Sequence, residues 1–463
     1  MTGKSLIGDR TFYRRVFAVM TPVLIQNVIT NFVSLLDNLM VGQVGTEPMS
    51  GVAIVNQLMF VYNLTLFGAL AGPGIFTAQY YGSGDQKGVM HTLRAKLLIG
   101  TASWALFSLA FLLRGGALIG LFLHEGQEAL DLGATLRAGE GYLRVMLLQM
   151  LPFMLQQVYA STLRETGETL LPMKAGLLAV FVNLVLNYVL IFGKLGAPAL
   201  GVTGAAIATL ISRLVECGVV VIWTHVHRER CPFIRGAFRS LRVPGALALS
   251  MLKTGAPLLV NELLWSAGMT LLNQSYSLRG LEVVSAVNIS SSVSNLFFCA
   301  FLSMGTTVSI MIGQLLGAGE PERAVDEDRK LVALSVALCA AVGLLMVFIC
   351  PLVPELYNTT PAVRALAVRL LWISAAMMPV NGYTNACYFT LRCGGRTLIT
   401  FLFDSAFVWA ICLPVAFLLS RMTAIPILPM VAIVSALDLI KCLLGYVLLR
   451  SRKWVNNLVS DGS

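Results

Sequence analysis

Apolar residues in this chain are gathered into long tracts separated by short polar segments. Twelve tracts of about 20 residues stand out, near 16–42, 52–76, 97–121, 140–163, 173–193, 203–224, 254–277, 285–309, 331–350, 367–391, 398–420 and 428–449. A helix of about 20 residues crosses the hydrocarbon core of a bilayer. A helix also satisfies its own backbone hydrogen bonds there. The pattern therefore predicts an all-α polytopic membrane protein with twelve transmembrane helices. The gap from Lys194 to Val202 is short enough for a tight hairpin.

Composition agrees with this reading. Of 463 residues 57% are hydrophobic and only 12% charged, against about 25% charged in soluble domains. Mean hydropathy is +0.79. The tract after Arg14 and Arg15 is too long for a signal-peptide core and has no small-residue cleavage site, so the first helix is expected to be retained. A net charge of +10 would suggest nucleic acid in a soluble chain. Here the basic residues cluster in alternate loops, and no nucleic-acid partner is expected. They lie at the N-terminus (Lys4, Arg10, Arg14, Arg15), after the second tract (Lys87, Arg94, Lys96), in the central loop (Arg228 to Lys253) and in the tail (Arg450, Arg452, Lys453). The loop after the third tract instead carries Glu125, Glu128 and Asp131. The positive-inside rule places both termini and the central loop in the cytoplasm.

The nine cysteines include no C-x-x-C and fall mostly in apolar tracts, as Cys299 and Cys339 do; they read as packing residues. His91, His124, His225 and His227 fall in predicted loops and read as solvated groups.

The chain repeats itself. Residues 38–54 lie without a gap on 273–289, matching Asn38, Gly45, Ser50 and Ile54 to Asn273, Gly280, Ser285 and Ile289 at a constant offset of 235. The same offset carries Pro22 to Pro257 and QYYGSGD at 79–85 to QLLGAGE at 314–320. A weaker echo pairs LRETGETL at 163–170 with LRCGGRTL at 391–398. An even number of spans separates the copies, so the halves enter the membrane in the same direction, related by a parallel pseudo-twofold. The expected organisation is an N-lobe over 1–224, a basic linker over 225–253 and a C-lobe over 254–463, each lobe holding six helices. Gly82, Gly84, Gly317 and Gly319 read as helix caps and turns.

The chain resembles the multidrug and toxic compound extrusion (MATE) family. The resemblance rests on Pro22, L-D-x-x-x-V-G at 36–42, Q-x-x-G-x-G-D at 79–85 and Leu163, Arg164 and Gly167. GVTGAAIAT at 201–209, NELLW at 261–265, LRCGG at 391–395 and RSRKWVNN at 450–457 complete it. It implies export of cationic amphipathic compounds in exchange for H⁺ or Na⁺, with an acid of the first helix, Asp37, as a coupling residue. It implies a polar pair on the fifth helix, Asn183 and Asn187; some branches carry an aspartate at the second position, which is Asn187 here. In the C-lobe Glu262 resembles a coupling or cargo-binding glutamate of helix seven. Asn381 falls where several branches place an aspartate of helix ten.

Each polar residue also has a plainer reading. A charge in hydrocarbon costs several kcal/mol and is a functional hypothesis by default, yet Asp37 lies in the outer half of its helix, where headgroups could wet it. Asn183 and Asn187 share a helix face; their carbonyls could serve as sodium ligands, or their amides could hydrogen-bond between helices. Glu262, with Trp265 nearly one turn on, suits an organic cation through charge pairing and cation–π attraction, or forms a structural pair. Asp404 is a secondary cargo-binding candidate, or pairs with Arg392 or Arg396. Arg213 with Glu216, and Asp438 with Lys441, are spaced to neutralise each other on one helix.

No phosphate-binding G-x-x-x-x-G-K-[ST] loop and no hydrolase or zinc motif occurs in the sequence, so neither an ATP-driven pump nor an enzyme is expected. The expectation is a monomeric secondary antiporter of the cell membrane, with small organic cations as cargo and the bilayer as partner. Apart from the coupling ion no cofactor is expected, and the one metal considered is Na⁺ at Asp37. The rival reading is a flippase for a lipid-linked precursor on a related two-lobe plan, against which the scarcity of intramembrane arginine counts. A channel or passive receptor would need no acid in each lobe.

Overall fold

The computed structural model describes residues 6–44, 46–120, 132–356 and 359–460. His124, Glu125, Glu128 and Asp131 lie outside the described residues. Twelve long helices follow one another: α1 Arg10–Gly42, α2 Thr46–Ser83, α3 Gln86–Gly120, α4 Leu132–Glu165, α5 Leu170–Phe192, α6 Gly201–Val226, α7 Gly245–Ser277, α8 Leu281–Gly317, α9 Pro321–Ile349, α10 Pro361–Cys393, α11 Thr397–Met422 and α12 Ile427–Arg450. Among the described residues, eleven of these carry an apolar window suited to crossing a membrane. The remaining one, α4, carries Arg137, Glu140 and Arg144 in its first half. Leu113, Phe348 and Leu443 are each more than two-thirds exposed. Scattered large apolar side chains at that exposure fit a surface solvated by lipid chains.

Every helix extends beyond its tract at one end or both, although α3, α5 and α9 stop one residue short at the other. Apolarity marks the hydrocarbon slab, whereas helical winding continues until a turn residue stops it. His91 is consequently in α3, His225 is in the last turn of α6 and His227 caps that helix, so the loop assignment of these three is corrected. Lys87, Arg94 and Lys96 likewise stand on the first turns of α3 and not in a loop. Arg94 is buried and donates to the carbonyls of Gly236, Ala237 and Arg242 at 2.9, 2.8 and 3.3 Å. Lys96, fully buried, pairs with Glu165 and donates to Ser161 and Thr162, each at 3.2 Å. The central connection is shorter than the expected linker, because α7 begins at Gly245 and a 3₁₀ turn occupies Pro232–Ile234.

By compactness the described residues form two units. One comprises Ile25–Thr77 and Gln86–Met251; the other comprises the residues up to Leu24, Ala78–Asp85 and those from Leu252 onward. This partition differs from the repeat boundaries at two short segments, the beginning of α1 and the end of α2. In the first unit Tyr62, Met150, Met154 and Val158 are fully or almost fully buried, and the Tyr62 hydroxyl donates to the carbonyl of Met150 at 3.1 Å.

In the second unit Phe12, Val16 and Met20 from α1 pack with Met304, Ile312, Leu331, Cys387 and Trp454. The two glycine motifs meet there. A side chain on Gly82 would collide with the backbone of Gln314, and one on Gly317 with the backbone of Gln79. These two glycines therefore permit a close helix crossing and are not caps, which corrects the reading of that pair. Gly84 and Gly319 do occupy turns, at φ +80° and +73°. The turn bonds match in both copies: Asp85 N–H donates to Tyr80 at 3.0 Å, and Glu320 N–H to Leu315 at 3.0 Å.

Candidate functional site

Among the described residues each unit holds a connected polar cluster that includes a sequence-predicted acid. In the first, Asp37 projects from the last turns of α1 and meets α5. Asn187 Nδ2 donates to Asp37 Oδ1 at 2.7 Å. Asn183 and Asn187, one turn apart, are buried at 6% and 1% exposure. The Asn183 amide can be placed either way round, and the placement with its NH₂ toward Asp37 is the one that satisfies both its oxygen and its nitrogen. With its NH₂ turned toward Asp37 it lies 3.0 and 3.1 Å from the two carboxylate oxygens. Turned over, its oxygen accepts from Asn187 Nδ2 at 3.1 Å, and its NH₂ reaches Thr209 Oγ1 at 3.4 Å. Among the described residues Asn187 Oδ1 is buried with no hydrogen-bond partner. The sequence offered two amide carbonyls for the carboxylate; at Asn187 it is the NH₂ that faces Asp37. Arg213 pairs with Glu216 at 2.6 Å, as its spacing suggested, and Gln156 also donates to Glu216 at 2.9 Å.

The second cluster runs through four helices. Glu262 and its neighbour Asn261 come from α7, Tyr388 from α10, Asp404 and Ser405 from α11 and Lys441 from α12. Tyr388 donates to Glu262 Oε1 at 3.2 Å. Asn261 Nδ2 reaches Tyr388 Oη at 3.3 Å and Asp404 Oδ2 at 3.2 Å, which uses both amide hydrogens. The oxygen of that amide accepts from the Ser405 backbone N–H at 3.2 Å. Lys441 Nζ closes the chain on Asp404 Oδ1 at 2.6 Å. Asp404 and Ser405 belong to a π-helical stretch, Leu402–Ala406, followed by another at Val408–Cys412. Such widened turns are frequent at functional positions because they re-aim side chains.

Two plainer readings are thereby corrected. Asp404 pairs with Lys441, not with Arg392 or Arg396, because α12 packs its lysine against the widened turn. Lys441 has its close ion pair with Asp404 on another helix, although Asp438 remains within electrostatic reach of it. Arg392 lies over the Phe389 ring at 5.3 Å, within electrostatic reach of Glu262. Trp265 stands one turn beyond Glu262 at 38% exposure. Asn381 contributes a backbone carbonyl that accepts from Thr384 at 3.3 Å. The hydrogen-bonded chain includes neither Trp265 nor Asn381. Sequence reasoning passed over Asn261 and Tyr388, and paired Lys441 with Asp438 on its own helix. Asn261 adjoins Glu262, and Lys441 is a lone lysine in the last apolar tract, so both left a signal.

Half-buried acids within long apolar helices, one cluster in each unit, fit a membrane transporter. The MatE family model matches residues 22–189 and 257–420, blocks that open at the paired prolines Pro22 and Pro257, and the chain belongs to this family of multidrug and toxic compound extrusion transporters. It is 26% identical over 411 residues to the "Probable multidrug resistance protein NorM" of Thermotoga maritima, covering 86% of this chain and 84% of that protein. It is also 26% identical over 422 residues to the "Probable multidrug resistance protein YoeA" of Bacillus subtilis, covering 90% and 89%. Its fold is similar to an outward-facing multidrug resistance MATE transporter of the MOP superfamily, with a TM-score of 0.85 at 18% identity over 98% of this chain and 99% of that one. A mutant of the Vibrio cholerae MATE transporter VcmN gives 0.83 at 20% identity, covering 96% and 98%.

Proposed function

We propose that this protein exports organic cations by antiport against H⁺ or Na⁺, with both termini in the cytoplasm and the monomer as the working unit. The relatives it resembles are named as multidrug resistance proteins, which supports a broad small-molecule cargo. The observation that carries the reading is the Asp37 cluster, where a carboxylate inside a transmembrane helix is gripped by Asn187 at 2.7 Å. Asn183 supplies the adaptable element. When Asp37 is ionised the Asn183 NH₂ donates to it; when a proton or Na⁺ occupies the acid, the Asn183 oxygen turns toward the bound cation. Asn187 Oδ1, buried without a partner among the described residues, is a further hard oxygen beside it. Loading Asp37 thus changes its hydrogen bonds, and a ligand shifts a conformational equilibrium only through such differential interactions.

In the second unit Glu262 is the cargo-facing acid, with Trp265 one turn on as an aromatic surface for an organic cation. Asn381 and Asp404 serve as polar wall and support. The test is uptake of a fluorescent cation into inverted vesicles, with proton and sodium gradients imposed separately. Uphill accumulation driven by one gradient is expected. Equal dye movement with every gradient collapsed would replace antiport by facilitated diffusion.

A further inference from the structure

The chain of contacts from Glu262 to Lys441 contains two carboxylates and a cation that belongs to the protein itself. Lys441 is buried at 9% exposure, holds Asp404 Oδ1 at 2.6 Å, and lies 5.2 Å over the ring of Phe403. A lysine this far from water is rare unless paired. The remaining oxygen of Asp404 is bound to Asn261, whose other contact, Tyr388, leads to Glu262. The other charged groups within electrostatic reach are Arg392 beside Glu262 and Asp438 beside Lys441 and Asp404. They contribute one charge of each sign and cancel. With Arg392 beside Glu262, and Lys441 facing both Asp404 and Asp438, the ionised cluster of three carboxylates and two cations carries a net charge of −1, and Lys441 holds it at that value.

We propose that Lys441 is a tethered cation that limits the cluster to one positive charge from its cargo, making it the residue that selects monocations over dications. The inference rests on the reading of Glu262 as a cargo-facing acid. Coulomb interaction between charges a few ångströms apart in a poorly hydrated site is large. An added ammonium that meets Lys441 in place of a free carboxylate is repelled. Removal of Lys441 exposes a second carboxylate, and the preference shifts toward dications.

The test compares binding of tetraphenylphosphonium and decamethonium to the purified full-length protein at about pH 8 without any ion gradient. Lys441→Met is expected to raise the dication-to-monocation affinity ratio by at least about tenfold. Lys441→Arg, which keeps the charge, stays within about twofold of wild type. The double variant Lys441→Met with Asp404→Asn removes both partners, restores the original charge count and returns the ratio to wild type. This variant leaves neither member of the Asp404–Lys441 pair behind as an unpaired charge. An unchanged ratio in Lys441→Met overturns the proposal, as does a shifted ratio that the double variant fails to reverse. Wild type that binds neither probe fails differently: it removes the cation-binding reading of Glu262 itself.

Discussion

The acids of the two units are held on opposite terms. Asp37 is hydrogen-bonded by a neutral amide, and the arginine within its electrostatic reach, Arg213, is already committed to Glu216 at 2.6 Å. Asp404 is closed by an ammonium at 2.6 Å and an amide at 3.2 Å. A carboxylate with an adaptable neutral partner can change its load of protons or ions without breaking an ion pair. A carboxylate sealed by a lysine cannot, because removing one partner of a buried pair leaves an uncompensated charge at a cost of about 3–5 kcal/mol. The contrast is the reason the proposal puts ion exchange at the first cluster. The second is proposed as a preset electrostatic surface with Glu262 toward the cargo, held by Tyr388 at 3.2 Å.

The largest effect should come from altering the exchangeable acid. Asp37→Asn preserves shape while removing titration, and gradient-driven uphill transport is expected to fall by at least about 100-fold, because the ion no longer biases the two states of the carrier. Lys441→Arg in the same vesicle assay should stay near the wild-type rate; an equal loss in both variants would erase the contrast. Next in size is Glu262→Gln, expected to weaken binding of organic cations by about tenfold while neutral analogues change less than about twofold, as measured by titration of purified protein. Equal losses for both classes would show a packing defect. Asn187→Ala should reduce ion-driven uptake by about fivefold, the worth of one hydrogen bond of about 1 kcal/mol. The smallest effects belong to the matched turns. Gly84→Ala and Gly319→Ala should each lower stability by about 1 kcal/mol in thermal unfolding, because alanine is strained at positive φ, with transport little changed. Unequal costs would show that the turns are not equivalent.

Helix number, the repeat and Asp37 were legible in the sequence because they are written locally: apolar length, constant offset and a charge in an apolar tract. Helix ends were less legible. Arg94 and Lys96 read as loop residues because charge signals the end of hydrocarbon, and nothing local showed that the linker carbonyls and Glu165 would receive them. Lys441 was misread for a related reason: Asp438, three residues away, supplied a ready local partner, while the tertiary one came from another helix. The π-helical winding at Leu402–Ala406 that aims Asp404 at Lys441 has no composition of its own. Gly82 and Gly317 resembled caps because they stand next to true turn glycines, and only the helix crossing separates the two roles.

Cargo exchange at equilibrium, set beside uphill transport in the same Asp37→Asn proteoliposomes, tests the central claim most directly. Labelled cation inside is traded for unlabelled cation outside with no ion gradient present, so the assay needs cargo binding and reorientation but no coupling. Asp37 as the coupling acid predicts exchange within about twofold of wild type together with loss of gradient-driven accumulation. Wild-type accumulation in Asp37→Asn, or loss of exchange and accumulation together, would contradict it.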